Sequence, residues 1–123
     1  MIVSDENERL IGEAIDKLNE ILDSDGYMEM VNNSQTSTEK KKLLNQCWSQ
    51  RNQLTRMLLK IYAKDIEENN DAFKKLITQM KSVRKEAEEA ADGLKKIADR
   101  IESAVKMAKA VDAALKIAAA LAV

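Results

Sequence analysis

The chain has 123 residues, a length that suits one domain with a modest core and falls short of most self-contained enzymes. It has no proline, three glycines, 3% aromatic residues and no histidine, so helix breakers and strand formers are scarce and the commonest general base and zinc ligand is missing. The net charge of −1 conceals an uneven distribution: residues 1–36 hold nine acids and two bases, and residues 37–123 hold twelve acids and eighteen bases.

The first predicted helix spans about 5–23. Ser4 or Asp5 can cap it, and Asp5 is followed by Glu8 in the manner of a capping box. Leu10, Ile11, Ala14, Ile15, Leu18, Ile21 and Leu22 recur at steps of three and four and form one apolar stripe. Asp23-Ser24-Asp25-Gly26 ends the helix. Residues 24–37 read as a polar loop with room for one short turn, anchored by Tyr27, Met28, Met30 and Val31.

A second helix is expected over 38–67, opened by a capping box of Thr36 and Glu39. Its apolar side uses Leu43, Leu44, Cys47, Trp48, Leu54, Met57, Leu58, Ile61 and Tyr62. Gln50 and Arg51 interrupt that side, either at the edge of the core or as a buried polar layer that sets register. Cys47 is the lone cysteine, so no disulfide forms within the chain, and a small buried residue is the simplest role for it. Trp48 serves either the core or an interface as an aromatic anchor. Asn69 or Asn70 caps the next element.

The third element, 70–122, carries the strongest pattern. Phe73, Leu76, Met80, Val83, Ala87, Ala90, Leu94, Ile97, Ile101, Ala104, Ala108, Val111, Leu115, Ala118 and Ala122 follow alternating steps of three and four without interruption. This seam predicts one continuous coiled-coil-like helix, about 78 Å long at about 1.5 Å per residue. Helices two and three would form an antiparallel hairpin beyond whose end the third helix overhangs. The alternative is a break near Gly93, giving a four-helix bundle. Either way the fold class is all-α, a single domain over 1–123.

Of the twenty residues 104–123, only Lys106, Lys109, Asp112 and Lys116 are polar. With Glu102 they occupy about 120° of the helix circumference and leave about 240° apolar, too wide an arc for one neighbour to cover. An overhanging helix of this kind needs two further helices, a partner's groove or lipid. The expected interaction residues are therefore Leu94, Ile97, Ile101, Ala104, Val105, Ala108, Val111, Leu115, Ala118 and Ala122, with Trp48 as a separate anchor. A protein partner, or the chain itself in a homo-oligomer, fits this surface best. A membrane interface fits less well, because alanine contributes little apolar area and no aromatic residue lies at the lipid level.

No chemistry is legible. Glu86, Glu88 and Glu89 read as solvated partners of Lys81, Arg84 and Lys85, and Asp23, Asp25 and Glu29 lack the remaining ligands of a calcium loop. No phosphate-binding glycine loop can be assembled. Nucleic-acid binding is not expected, because the lysines alternate with acids and aromatic interleaving is absent. The opposite charges of the two halves point to an acidic first helix leaning on a basic hairpin, within the fold or between subunits. The start of the sequence lacks the basic and apolar regions of a secretory leader, so a cytoplasmic protein is expected, although leaderless export would leave the same sequence. The resulting expectation is a non-enzymatic interaction or assembly protein without cofactor or metal. A membrane-associating protein, a small helical chaperone and an immunity or inhibitor protein are the alternatives.

Overall fold

Four short polar side chains set where the first four helices begin. Ser4 accepts a hydrogen bond from the Asn7 N–H and opens α1 (Asp5–Leu22). Ser24 does the same with Tyr27 for α2 (Asp25–Asn32), and Ser37 with Lys40 for α3 (Thr38–Tyr62). Asn70 accepts from Ala72 and Phe73 and opens α4 (Asp71–Ala91). Each satisfies backbone donors that the first turn of a helix leaves without partners. The last helix, α5 (Ile97–Ala122), starts after Lys96 without a side-chain cap.

The computed structural model describes residues 3–64 and 66–123. Met1, Ile2 and Asp65, the last within the span expected for the second helix, lie outside the described residues. Among the described residues every regular element is an α-helix, and the helices form a bundle.

Three boundaries differ from the sequence reading. The expected loop 24–37 contains an eight-residue helix, α2, because Ser24 supplies a cap and Tyr27, Met30 and Val31 bury one side of the segment. The cap of α3 is Ser37 rather than Thr36, whose buried hydroxyl instead donates to the Met30 carbonyl at 2.6 Å and ties the loop back to α2. The helix expected to reach residue 67 ends at Tyr62, and Ile66 beyond it packs against the core.

The largest difference concerns 70–122, which is not one rod. The chain leaves the helix at Asp92, whose carboxylate accepts from the Leu94 N–H at 3.0 Å while its carbonyl accepts from Lys95 at 3.1 Å. Side-chain bonding of this local kind competes with helix propagation. Arg100 reaches back from α5, and its Nε donates to the Ala90 carbonyl at 2.9 Å, satisfying an acceptor at the end of α4. Gly93 has no positive φ, so the reversal rests on these bonds and on glycine's poor helix propensity rather than on a left-handed backbone.

Because the chain reverses here, the antiparallel hairpin is α4 with α5, and α3 and α4 scarcely touch. This replaces the hairpin expected between the second helix and the third: α5 folds back into the place beside α4 and lies between α4 and α3. The α3–α5 pairs Gln50 with Asp112 and Lys64 with the Val123 carbonyl show that these helices run in the same sense. α1 packs on α4, also in the same sense, with Ser4 bonded to Glu68 and Glu13 to Arg84. α1 meets α3 more sparsely, in the opposite sense, with Asp23 at Arg51 and Glu8 beside Tyr62. The ring order is therefore α1, α4, α5, α3, with α2 laid against α3 and the start of α5. One continuous core joins all five helices, including fully buried Leu18, Tyr27, Met30, Leu54, Phe73, Met80, Ile101 and Met107.

Candidate interaction surface

The wide apolar arc of α5 does require two neighbours, and it receives both inside the chain. Ile101, Ala104, Val105, Ala108, Val111 and Ala118 are buried, and Ile97, Leu115 and Ala122 are partly buried against the core. Ala104, Ala114 and Ala118 have no exposed surface, so small side chains are what α5 uses to sit between α3 and α4. The overhang anticipated from the continuous rod is absent, because the break at Asp92 brings α3 and α4 alongside the whole helix. Of the eleven residues singled out as an interaction surface, nine thus lie on the inward side of α5 or half within it. Leu94, in the α4–α5 turn, is 98% exposed, and Trp48, on α3, is 39% exposed.

Charge pairing accounts for much of the surface. Acidic α1 does lean on basic neighbours within the fold, through Glu13 with Arg84 at 2.9 Å and Asp23 with Arg51 at 2.7 Å. On α5, Lys106 pairs with Glu102 and Lys116 with Asp112, each four residues apart, and Lys95 in the turn pairs with Glu89.

α3 breaks this pattern. From Lys40 to Lys64 the chain carries seven bases and no carboxylate. Among the described residues only Arg51 of these seven enters an ion pair. Lys40, Lys42, Arg56, Lys60 and Lys64 are exposed, interleaved with exposed Asn45, Gln46, Ser49, Asn52 and Gln53. Lys40, Lys41 and Lys42 stand near the N-terminal end of the helix, where its dipole disfavours cations. Trp48 and exposed Leu59 stand on the same helix, and Trp48 lines a shallow depression with Asn45, Ser49, Arg51 and Asn52. The sequence held this signal, but only when charges are counted over 40–64 alone, between Glu39 in the first turn of α3 and the acids that follow Lys64; a sum over 37–123 mixes this run with the balanced α4 and α5.

Gln50 and Arg51 occupy the edge of the core, and neither forms a buried layer. Gln50 donates to Asp112 of α5 at 2.8 Å, and this bond, followed by Lys116, holds the Asp112 carboxyl below its usual range. Inside, the Tyr27 hydroxyl donates to the Leu44 carbonyl at 2.7 Å, beside Cys47. Burial pushes the Cys47 thiol up to about 12, against smaller opposing effects from Tyr27 and the Arg51 charge, so the thiol is neutral and covered. Burial also pushes Tyr27 up, and raises Tyr62 to about 12 with help from the negative charge of Glu8.

One carboxylate is not where the sequence reading puts it. Glu86 is only 7% exposed, and its Oε2 has no hydrogen-bond partner. It lies one turn from Glu89, which approaches Ser103 of α5 at 3.5 Å, so this flank of α4 is turned toward α5 rather than to solvent.

Among the described residues no group of three or more potential ligands is placed to hold a metal, and no helix is long and apolar enough to cross a membrane. No protein-family model, curated protein or solved structure matches the chain.

Proposed function

We propose that the chain is a non-enzymatic protein-interaction or assembly module that docks a protein partner through the outer face of α3. The observation that carries this reading is the run from Lys40 to Lys64, seven cations without a carboxylate around a part-exposed tryptophan. Like charges crowded along one helix, three of them near its N-terminal end, cost stability, and among the described residues the fold answers only Arg51 with an ion pair and Lys64, just past the helix, with a hydrogen bond to the Val123 carbonyl. Trp and Arg together on a surface are the residue types that most often anchor interfaces. The lipid-facing alternative has less behind it, since the apolar side of α5 that motivated it is covered by α3 and α4.

The test is site-specific photo-crosslinking in cells, with a photoreactive residue at Asn52 on α3 and, for comparison, at Lys109 on α5. A discrete protein adduct from position 52 and none from 109 is expected. No adduct from 52, or the same products from both positions, overturns the reading.

A further inference from the structure

α1 and α3 are neighbours with opposite charge. Residues 5–23 carry seven acids and two bases, and residues 40–64 carry seven bases and no acid. These segments are about 28 Å and 37 Å long. Trp48, Arg51, Thr55, Leu59 and Tyr62 recur at helical spacing along one stripe of α3, and it is this stripe that meets α1, through Arg51 at Asp23 and Tyr62 near Glu8. The exposed side chains of Trp48 and Leu59 therefore flank the α1–α3 seam, the most sparsely packed side of the ring of four long helices.

Gly12 supplies an independent observation. It lies in the middle of α1, exposed, where a Cβ would meet nothing within 4 Å and where φ is not positive. Nothing in the fold requires glycine there, although it lowers helix propensity. Asp5, Glu8 and Asp16, with Arg9 as the one base, surround it on the outer side of the helix. A residue without a side chain on a face where acids outnumber bases suits a surface that receives a bulky group from a basic helix.

Resting on the docking role proposed above for α3, we infer that the partner is a second copy of this chain, joined by a two-fold axis that lays α1 of each copy on α3 of the other. Because α1 and α3 lie side by side in opposite senses, an axis along their seam forms both contacts at once and closes the assembly as a dimer. Leu59 of each copy then lies over the Gly12 region of the other, Trp48 lies near the Asp23 end of α1, and the cations of α3 face the acids of α1.

The full-length chain is tested by analytical ultracentrifugation over a range of concentrations and salt, with Trp48 emission as a second readout, since it is the sole tryptophan. A dimer is expected whose dissociation constant rises about ten-fold or more between low and high salt. Dilution should shift the Trp48 emission to the red. Arg56→Glu with Lys60→Glu, and separately Glu8→Lys with Asp16→Lys, should each leave a folded monomer by circular dichroism. Mixing the two variants should restore the dimer, because each then meets its opposite charge. A wild-type chain that stays monomeric, or a dimer indifferent to salt and to both reversals, overturns the inference. The crosslink from position 52 separates the two failures. A monomer that yields an adduct with a different protein sinks the second copy and leaves the docking role of α3, whereas a monomer with no adduct removes both. Binding of double-stranded DNA by a monomer would assign the basic face to phosphate instead and would also overturn the inference.

Discussion

Gln50 on α3 and Asp112 on α5 share a 2.8 Å hydrogen bond from the amide Nε2 to the carboxylate, sixty-two residues apart in sequence. The bond fastens the middle of α3 to the helix at the centre of the bundle, and it lowers the pKa of Asp112 together with Lys116. Gln50→Leu keeps the volume and deletes the donor, so it should cost about 1 kcal/mol of stability in urea unfolding. The pH dependence follows from the direction of the shift. The unfolded carboxyl takes up its proton at a higher pH than the folded one, so its stabilising contribution is complete above about 3.9 and fades as the pH falls through the folded value. Asp112→Asn should therefore flatten the acid side of the stability profile; an unchanged slope would mean the bond is not populated in solution.

Glu86 presents the opposite case. Its Oε2 is buried without a partner, and a desolvated, unpaired acceptor costs about 1–3 kcal/mol. Glu86→Met, similar in length and apolar, should raise the thermal midpoint. A lower midpoint would show that the carboxylate is engaged in the folded protein.

Ala114, on α5, has no exposed surface. Enlarging it to leucine should destabilise the protein by about 1–3 kcal/mol through overpacking. Leu94→Gln, in the exposed turn, should alter stability by less than about 0.5 kcal/mol. Denaturant titration of the two variants checks whether α5 is covered within one chain: a tolerated Ala114→Leu would mean that this face is open.

Cys47 should react with an aromatic disulfide reagent only when the protein opens, at least about a thousand-fold more slowly than in denaturant. The thiol also contributes to pH dependence on the alkaline side. In the fold it keeps its proton up to about 12, whereas unfolded it ionises near about 8.5. Its contribution is then full below about 8.5 and declines as the pH rises across that window. Cys47→Ala should lessen the alkaline loss of stability, measured by unfolding at pH 8 and pH 10.

What the sequence could state by itself was local. Helix geometry repeats every 3.6 residues whatever surrounds it, so the stripe of α1, the caps Ser4 and Asn70, and the apolar arc of α5 with its need for at least two neighbours were all readable. The identity of those neighbours was not. Two antiparallel helices both turn their apolar sides to one core, so the seam from Phe73 to Ala122 keeps its phase whether or not the chain reverses between Ala91 and Ile97. Only the turn itself distinguishes the two courses: Asp92 binds the Leu94 N–H, and the one seam residue in the break, Leu94, stands in solvent. The same holds for Glu86, whose position on the flank of α4 became an inside position only once α5 lay beside it. The partners of α5 and the burial of Glu86 were decided by tertiary packing, because which surfaces lose water depends on where the chain returns, and a helical period carries no record of that.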